Sequence, residues 1–200
     1  MALLGVEPEA AAQGDKVVKK AVFLDRDGVL AVPEFRDGRS FAVRTLAEFR
    51  LYDDAEPSVK ALVAAGWTVV VATNQPDIAN GLLDAGTVEA MHDILRARLP
   101  VASVETCPHN REAGCDCRKP KPGLLSRAAE RHGIDLAASY MVGDRDSDIE
   151  AGASAGCRTI FIDRGYDRPA VTRPERTVAS LADAVAYILR RRDASVSLAH

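Results

Sequence analysis

The chain has 200 residues, 47% of them hydrophobic and 28% charged, with a formal net charge of −3. That describes one domain of ordinary size with enough apolar material for a core. Its longest apolar runs fall far short of the roughly 20 residues of a membrane-spanning helix, and its acidic balance offers no basic stripe to a nucleic acid.

The first sixteen residues, MALLGVEPEAAAQGDK, carry acidic residues and no basic segment ahead of an apolar stretch, so 1–16 reads as a disordered leader rather than a secretory signal. VVKKAVFL predicts a first strand, ended by Asp25-Arg26-Asp27-Gly28. EPSVKALVAAG predicts a short amphipathic helix, and WTVVVAT a second strand that runs into Thr73-Asn74-Gln75. GTVEAMHDILRARL predicts a helix with Val88, Met91, Ile94 and Leu95 on its apolar face. VASVETC is a short strand, and KPGLLSRAAERHG a helix that starts near Pro122 and stops at Gly133. SYMVGD, DSDIEAGASAG, CRTIFID and SLADAVAYILRRR then predict strand, helix, strand and closing helix, with a frayed tail over 193–200. His92, His132 and His200 have no motif around them and are expected on the surface, and Cys157 is expected in the core.

Alternating strands and helices imply βαβ units, hence an α/β, Rossmann-like parallel sheet with helices on both faces, in one domain over 17–192. Ligands of such sheets bind beyond the carboxyl ends of the strands. Three polar clusters fall there: Asp25-Arg26-Asp27, Thr73-Asn74-Gln75 and Gly143-Asp144. Singly, each has a structural explanation: an Asx-turn with Gly28 at positive φ, a polar loop start, a helix cap. Together, Asp25, Asp27 and Asp144 put three acids on one rim, which calls for a cation. Hard oxygen ligands and an open site suit Mg²⁺, which commonly arrives with a phosphate. Thr73 and Asn74 offer a hydroxyl and an amide to phosphoryl oxygens, and Lys119 or Lys121 of RKPKPG offers positive charge. Phosphoryl transfer depends on positioning and on neutralising spreading negative charge. One carboxylate can attack phosphorus, and a second can protonate the leaving alkoxide and then activate water.

CPHNREAGCDC brings Cys107, His109, Cys115 and Cys117 together. Three thiolates and an imidazole make a closed, structural zinc site; the alternative is unpaired thiols in a polar surface loop. Clustered cysteines in a chain without an export signal point to a reducing compartment, with the cytoplasm as the expectation.

DRDGVL, TNQ, RKPKPG and GDRDSDIEAG, in that order, resemble the four motifs of the haloacid dehalogenase (HAD) superfamily, from about Lys19 to about Asp167. The Cys/His loop running into Arg118-Lys119 is similar to that of its histidinol-phosphate and heptose-bisphosphate phosphatase branch. The resemblance implies Asp25 as nucleophile, Asp27 as general acid/base, and Thr73 and Lys119 steadying the transferring phosphoryl group. It implies Mg²⁺ on Asp25, the Asp27 backbone carbonyl and Asp144, with Asp148 close behind. Asn74, Arg118 and Arg145, the last standing where a lysine is common, would meet the substrate. The zinc loop would aim Lys119 at the phosphate. Only 48 positions separate Asp25 from Thr73 (73 − 25) and 46 separate Thr73 from Lys119 (119 − 73), which leaves no room for a large cap domain.

Selectivity would then come from short loops, Pro33–Ser40, Pro76–Leu82 and the zinc loop. Two of these depart from the branch. Ala31-Val32-Pro33-Glu34 stands where an Asn and an acid are usual, and TNQPDIANG where TNQ is usually followed by a small residue and Gly. Arg36 and Arg39 are candidates to meet a second phosphate. The expected activity is Mg²⁺-dependent hydrolysis of a small sugar phosphate through an aspartyl phosphate, with heptose 1,7-bisphosphate losing its C7 phosphate as first candidate. Histidinol phosphate or another small metabolite comes second, and a DNA 3'-phosphate is disfavoured by the acidic balance. From another class, a zinc-stabilised binding or scaffold protein with an inactive site is the alternative. The expected partner is the small substrate alone, with neither nucleic acid nor membrane, and the chain is expected to be a monomer.

Overall fold

The computed structural model describes residues 18–36, 39–165 and 172–197, the side chains of Arg36, Arg39 and 192–197 excepted. In chain order its elements are β1 (Ala21–Leu24), β2 (Glu34–Arg36), β3 (Arg39–Phe41), α1 (Ala55–Ala64), β4 (Thr68–Asn74), α2 (Pro76–Ala79), α3 (Ala85–Arg98) and β5 (Ser103–Cys107). There follow α4 (Gly123–His132), β6 (Tyr140–Gly143), α5 (Asp146–Ser154), β7 (Arg158–Ile162), β8 (Arg176–Val178) and α6 (Leu181–Ser197). Six strands pair in parallel in the order β5-β4-β1-β6-β7-β8. The apolar runs explain why: all four residues of β1 are buried, as a strand with helices on both faces requires. Val22 and Leu24 pack with Val59 and Leu62 of α1, Met91 and Leu95 of α3, and Ile188 of α6. Ala21 and Phe23 point the other way, into a cluster with Leu124, Leu125 and Ala128 of α4. This two-residue alternation divides one continuous apolar string between two cores.

From β1 the chain builds outward through β4 to β5, then returns to β6 beside β1 and builds the other way. The reversal leaves a crevice past the carboxyl ends of β1 and β6, where Asp25 and Asp144 follow their strands.

Several expectations are corrected. Pro33–Ser40 is largely an antiparallel hairpin, with Glu34 opposite Phe41 and Arg36 opposite Arg39. Pro76–Leu82 begins with the short α2. β8 was not anticipated; three residues with charged neighbours carry no strand pattern. The closing helix extends to Ser197, five residues past Arg192, and 198–200 of the expected frayed tail lie outside the described residues. His92 is buried, 1% exposed, while Ile94, expected on the apolar face of α3, is 38% exposed. Helical geometry accounts for the exchange, since position 92 is four residues from Val88 and three from Leu95 and so shares their face. His132 is half-buried and contacts the Ser103 hydroxyl at 3.0 Å. Cys157 is buried as expected. The leader over 1–16 and His200 lie outside the described residues, as do the side chains of Arg36 and Arg39.

Candidate active site

Asp25 ends the pairing of β1 with β6, its N–H donating to the Val142 carbonyl at 3.0 Å. A tight turn follows. The Arg26 carbonyl accepts from the N–H groups of Leu30 and Ala31, and Gly28, at φ 93°, donates to Ala31 at 2.8 Å. That φ is a conformation side chains resist, so glycine is the residue for this place. The turn folds Asp27 back beside the strand end.

Lys119 is 3% exposed. Its ammonium reaches Asp25 Oδ1 at 2.8 Å, Asp148 Oδ1 at 2.6 Å and the Ala72 carbonyl at 2.6 Å. Its backbone is clamped by Asn74, whose Nδ2 donates to the Lys119 carbonyl at 3.0 Å and whose Oδ1 accepts from the Lys119 N–H at 3.1 Å. Asn74, expected to meet substrate, lines the cleft and also uses its amide to hold the lysine's main chain. Asp148 is wholly buried, and its Oδ2 accepts from the Arg145 N–H. A Cβ on Gly143 would overlap the Asp148 side chain, so glycine is what lets α5 approach β6 so closely.

Carboxylate oxygens of Asp25, Asp144 and Asp148 lie within 4.8 Å of one another. Three buried acids crowd together here, and the Lys119 ammonium is in contact with two of them, Asp25 and Asp148. Burial, with repulsion from Asp148 and Asp27, outweighs the lysine and pushes the Asp25 carboxyl up to about 6. A divalent cation answers this crowding, and the all-oxygen donor set fits Mg²⁺. Burial holds the lysine's pKa down, but the two carboxylates overcome it and raise the ammonium above its ordinary value.

The Cys/His cluster is also assembled. Sulfurs of Cys107, Cys115 and Cys117 stand 3.3 to 3.7 Å apart, and His109 Nδ1 lies 3.3 Å from Cys117 and 3.6 Å from Cys107. Tetrahedral donors about 2.3 Å from a zinc ion stand roughly 3.7 Å apart, so the cluster has the size of such a site. Its loop is tied to the sheet, with Gln75 N–H donating to the Cys107 carbonyl at 2.8 Å. Arg118 donates to the His109 carbonyl at 3.2 Å.

These parts border a cleft of about 620 Å³, within the range of small-molecule sites. Asp25, Asp27, Asn74, Arg118, Lys119 and Arg145 line it, with Thr73 and Asp144, 1% and 2% exposed, buried beside them. Arg145 reaches across to the hairpin, Nη2 donating to the Ser40 carbonyl and hydroxyl at 2.7 and 2.8 Å. Arg44, at 2.8 Å from Asp77, fastens the neighbouring wall. Reasoning from sequence missed Gln75, whose Nε2 donates to Asp27 Oδ2 at 2.8 Å and Thr73 Oγ1 at 2.9 Å. It also missed Arg26. Both residues stand inside the motifs themselves, and only their neighbours were given work.

A HAD-hydrolase-like family signature matches residues 116–186. The chain is 38% identical to the D-glycero-β-D-manno-heptose-1,7-bisphosphate 7-phosphatase of Pseudomonas putida over 178 residues, 86% of this chain and 98% of that protein. The chain belongs to the HAD family of phosphatases. The corresponding Pseudomonas aeruginosa enzyme is 38% identical over 74% of this chain and 83% of its own length. Among solved structures, a D,D-heptose 1,7-bisphosphate phosphatase from B. bronchiseptica, complexed with magnesium and phosphate, superposes with a TM-score of 0.71 at 33% identity. It covers 86% of this chain and 99% of that one. Among the described residues no helix is long and apolar enough to cross a membrane.

Proposed function

We propose that this HAD phosphatase hydrolyses heptose 1,7-bisphosphate to heptose 1-phosphate. The observation that carries the reading is the convergence, at one cleft, of Asp25, Asp27 and Lys119 on the two metal-like clusters, in a chain whose relatives carry that activity. Asp25, Asp144 and the Asp27 backbone carbonyl would hold Mg²⁺, with Asp148 bridging to Lys119. The ion supplies positive charge to the phosphoryl oxygens. An Asp25 carboxylate oxygen attacks phosphorus, and the bond from phosphorus to the C7 oxygen breaks. Asp27 gives that oxygen its proton. Water then attacks the aspartyl phosphate while Asp27 takes the proton back, and inorganic phosphate leaves with Asp25 restored. Lys119 stabilises charge on the group in transit, and the Thr73 hydroxyl, tied to Gln75, contributes a donor. Arg118 and Arg145, which line the cleft, would meet the rest of the substrate, and Arg36 and Arg39 are candidates for its other phosphate.

A kinetic panel of heptose 1,7-bisphosphate, histidinol phosphate, other sugar phosphates and a 3'-phosphorylated oligonucleotide tests the reading. The heptose bisphosphate is expected to have the highest kcat/KM, by at least about tenfold, a margin of roughly 1.4 kcal/mol in transition-state binding. A flat panel, or one led by histidinol phosphate, would overturn the substrate assignment. No turnover of any member would favour the scaffold alternative.

The second cluster is assigned to zinc in a structural role, since Cys107, His109, Cys115 and Cys117 use all four positions. It pins the loop that delivers Lys119. Protein purified without added metal is expected to carry about one zinc per chain by elemental analysis. Zinc near zero with thiols freely titratable in the native fold would reverse this. Reduced thiols of this kind suit the cytoplasm.

A further inference from the structure

Asp27 is held from two directions. Gln75 holds it from one side; on the other, Arg26 Nε donates to Oδ2 at 3.1 Å, and Nη2 donates to Oδ1 at 3.2 Å while lying 2.9 Å from Oδ2. Charge-assisted contacts to both oxygens restrict a carboxylate's orientation as well as its place. Arg26 is itself without exposed surface, its guanidinium 5.6 Å from the centre of the Phe49 ring. Its remaining nitrogen, Nη1, lies 3.2 Å from Nε2 of His92 in α3. Arginine only donates, so Nε2 must accept and the ring proton must sit on Nδ1. That nitrogen faces Glu89 Oε2 at 3.5 Å. Burial and the Arg26 charge push His92 down to about 4, against the pull of Glu89, so the ring remains a neutral acceptor at neutral pH.

We propose that His92 is a positioning residue for the acid/base step, fixing Arg26 so that its guanidinium holds the Asp27 carboxylate in one orientation. The inference rests on the assignment of Asp27 as general acid/base made above. A buried histidine with a merely structural role would support the fold and nothing else. The two roles separate by leaving group. Cleavage of an alkyl ester needs a proton delivered to the departing oxygen, whereas p-nitrophenolate departs without one. The constant to compare is kcat/KM, which reports events through transfer to Asp25 and omits the later water step.

His92→Leu removes the acceptor while keeping apolar bulk. Its kcat/KM on heptose 1,7-bisphosphate is expected to fall about 10- to 100-fold, while that on p-nitrophenyl phosphate stays within about twofold. His92→Gln, whose side-chain oxygen can accept from Nη1, is expected to recover most of the loss. Arg26→Lys, which keeps the buried charge but not the fork, should reproduce the split and serves if the leucine variant does not fold. Asp27→Asn is the reference and should show the largest split. If Asp27→Asn separates the two esters while His92→Leu and Arg26→Lys lower both alike or neither, the positioning role is wrong. If Asp27→Asn itself treats the esters alike, the acid/base assignment fails and takes this inference with it.

Discussion

Asp25→Asn is expected to fold as the parent does and to lose turnover by about four orders of magnitude or more, the scale on which removal of a covalent nucleophile acts. The substitution keeps size and shape at a position that is 6% exposed and ends a fully buried strand. An amide oxygen can still accept from Lys119, so the ion pair is replaced by a hydrogen bond rather than a hole. It cannot attack phosphorus, and its neighbours are engaged or buried: Asp148 is paired with Lys119, Asp144 is 2% exposed, and Asp27 is gripped by Arg26 and Gln75. Stability in chelator should not fall, because one of three crowded acids has been neutralised. The stabilisation gained on adding Mg²⁺ should shrink, because a ligand is lost. Phosphate release together with melting curves with and without Mg²⁺ measures all three. Turnover within tenfold of the parent would remove Asp25 from the nucleophile's role.

Much of this site was legible because its polar residues punctuate apolar strands. Asp25, Thr73 and Asp144 each follow or end a run that must be buried on both faces, and such runs place their ends on one rim whatever the helix lengths. The Cys/His loop was equally legible, since its spacing is local. What could not be read were partners distant along the chain that meet only in the fold. His92 lies 66 residues from Arg26, and Asn74 45 from Lys119. An isoleucine beside the histidine outweighed geometry in the choice of the apolar face of α3, and the fold gave the buried place to the residue with a partner to satisfy. The amide chemistry that suits Asn74 to a phosphate also suits it to a backbone N–H and C=O, so its hold on Lys119 carries no signal of its own in the sequence. The β2–β3 hairpin has little sequence signal, because strands of three residues with charges among them show no alternation. The continuation of α6 through 193–197 runs over DASVS, which carries no helical apolar period.

Lys119→Met should separate stability, metal affinity and catalysis more sharply than any other change. The lysine is the one cation in contact with Asp25 and Asp148 among the described residues, and its ammonium is almost wholly buried. Removing one partner of a buried pair leaves the other charge uncompensated, at a cost of about 3–5 kcal/mol. The sign of its pKa shift says when that contribution is present. A lysine whose pKa is raised on folding contributes fully below its unfolded value and fades only as pH rises through the folded one, so at neutral pH all of it is there to lose. Metal affinity should move the other way. Without the ammonium, the three carboxylates present more negative charge to a cation, so Mg²⁺ should bind the variant more tightly and restore part of its stability. Turnover should nevertheless fall by about 10²–10³-fold, because the charge that stabilises the group in transit is gone. Tighter metal with slower chemistry cannot come from a variant that is merely misfolded. Adding Asp148→Asn in the same chain removes one unpaired carboxylate and should recover part of the lost stability in chelator without recovering turnover. That is the non-additivity expected of two groups in direct contact. If the two substitutions instead add their losses, the lysine and Asp148 do not act as a pair.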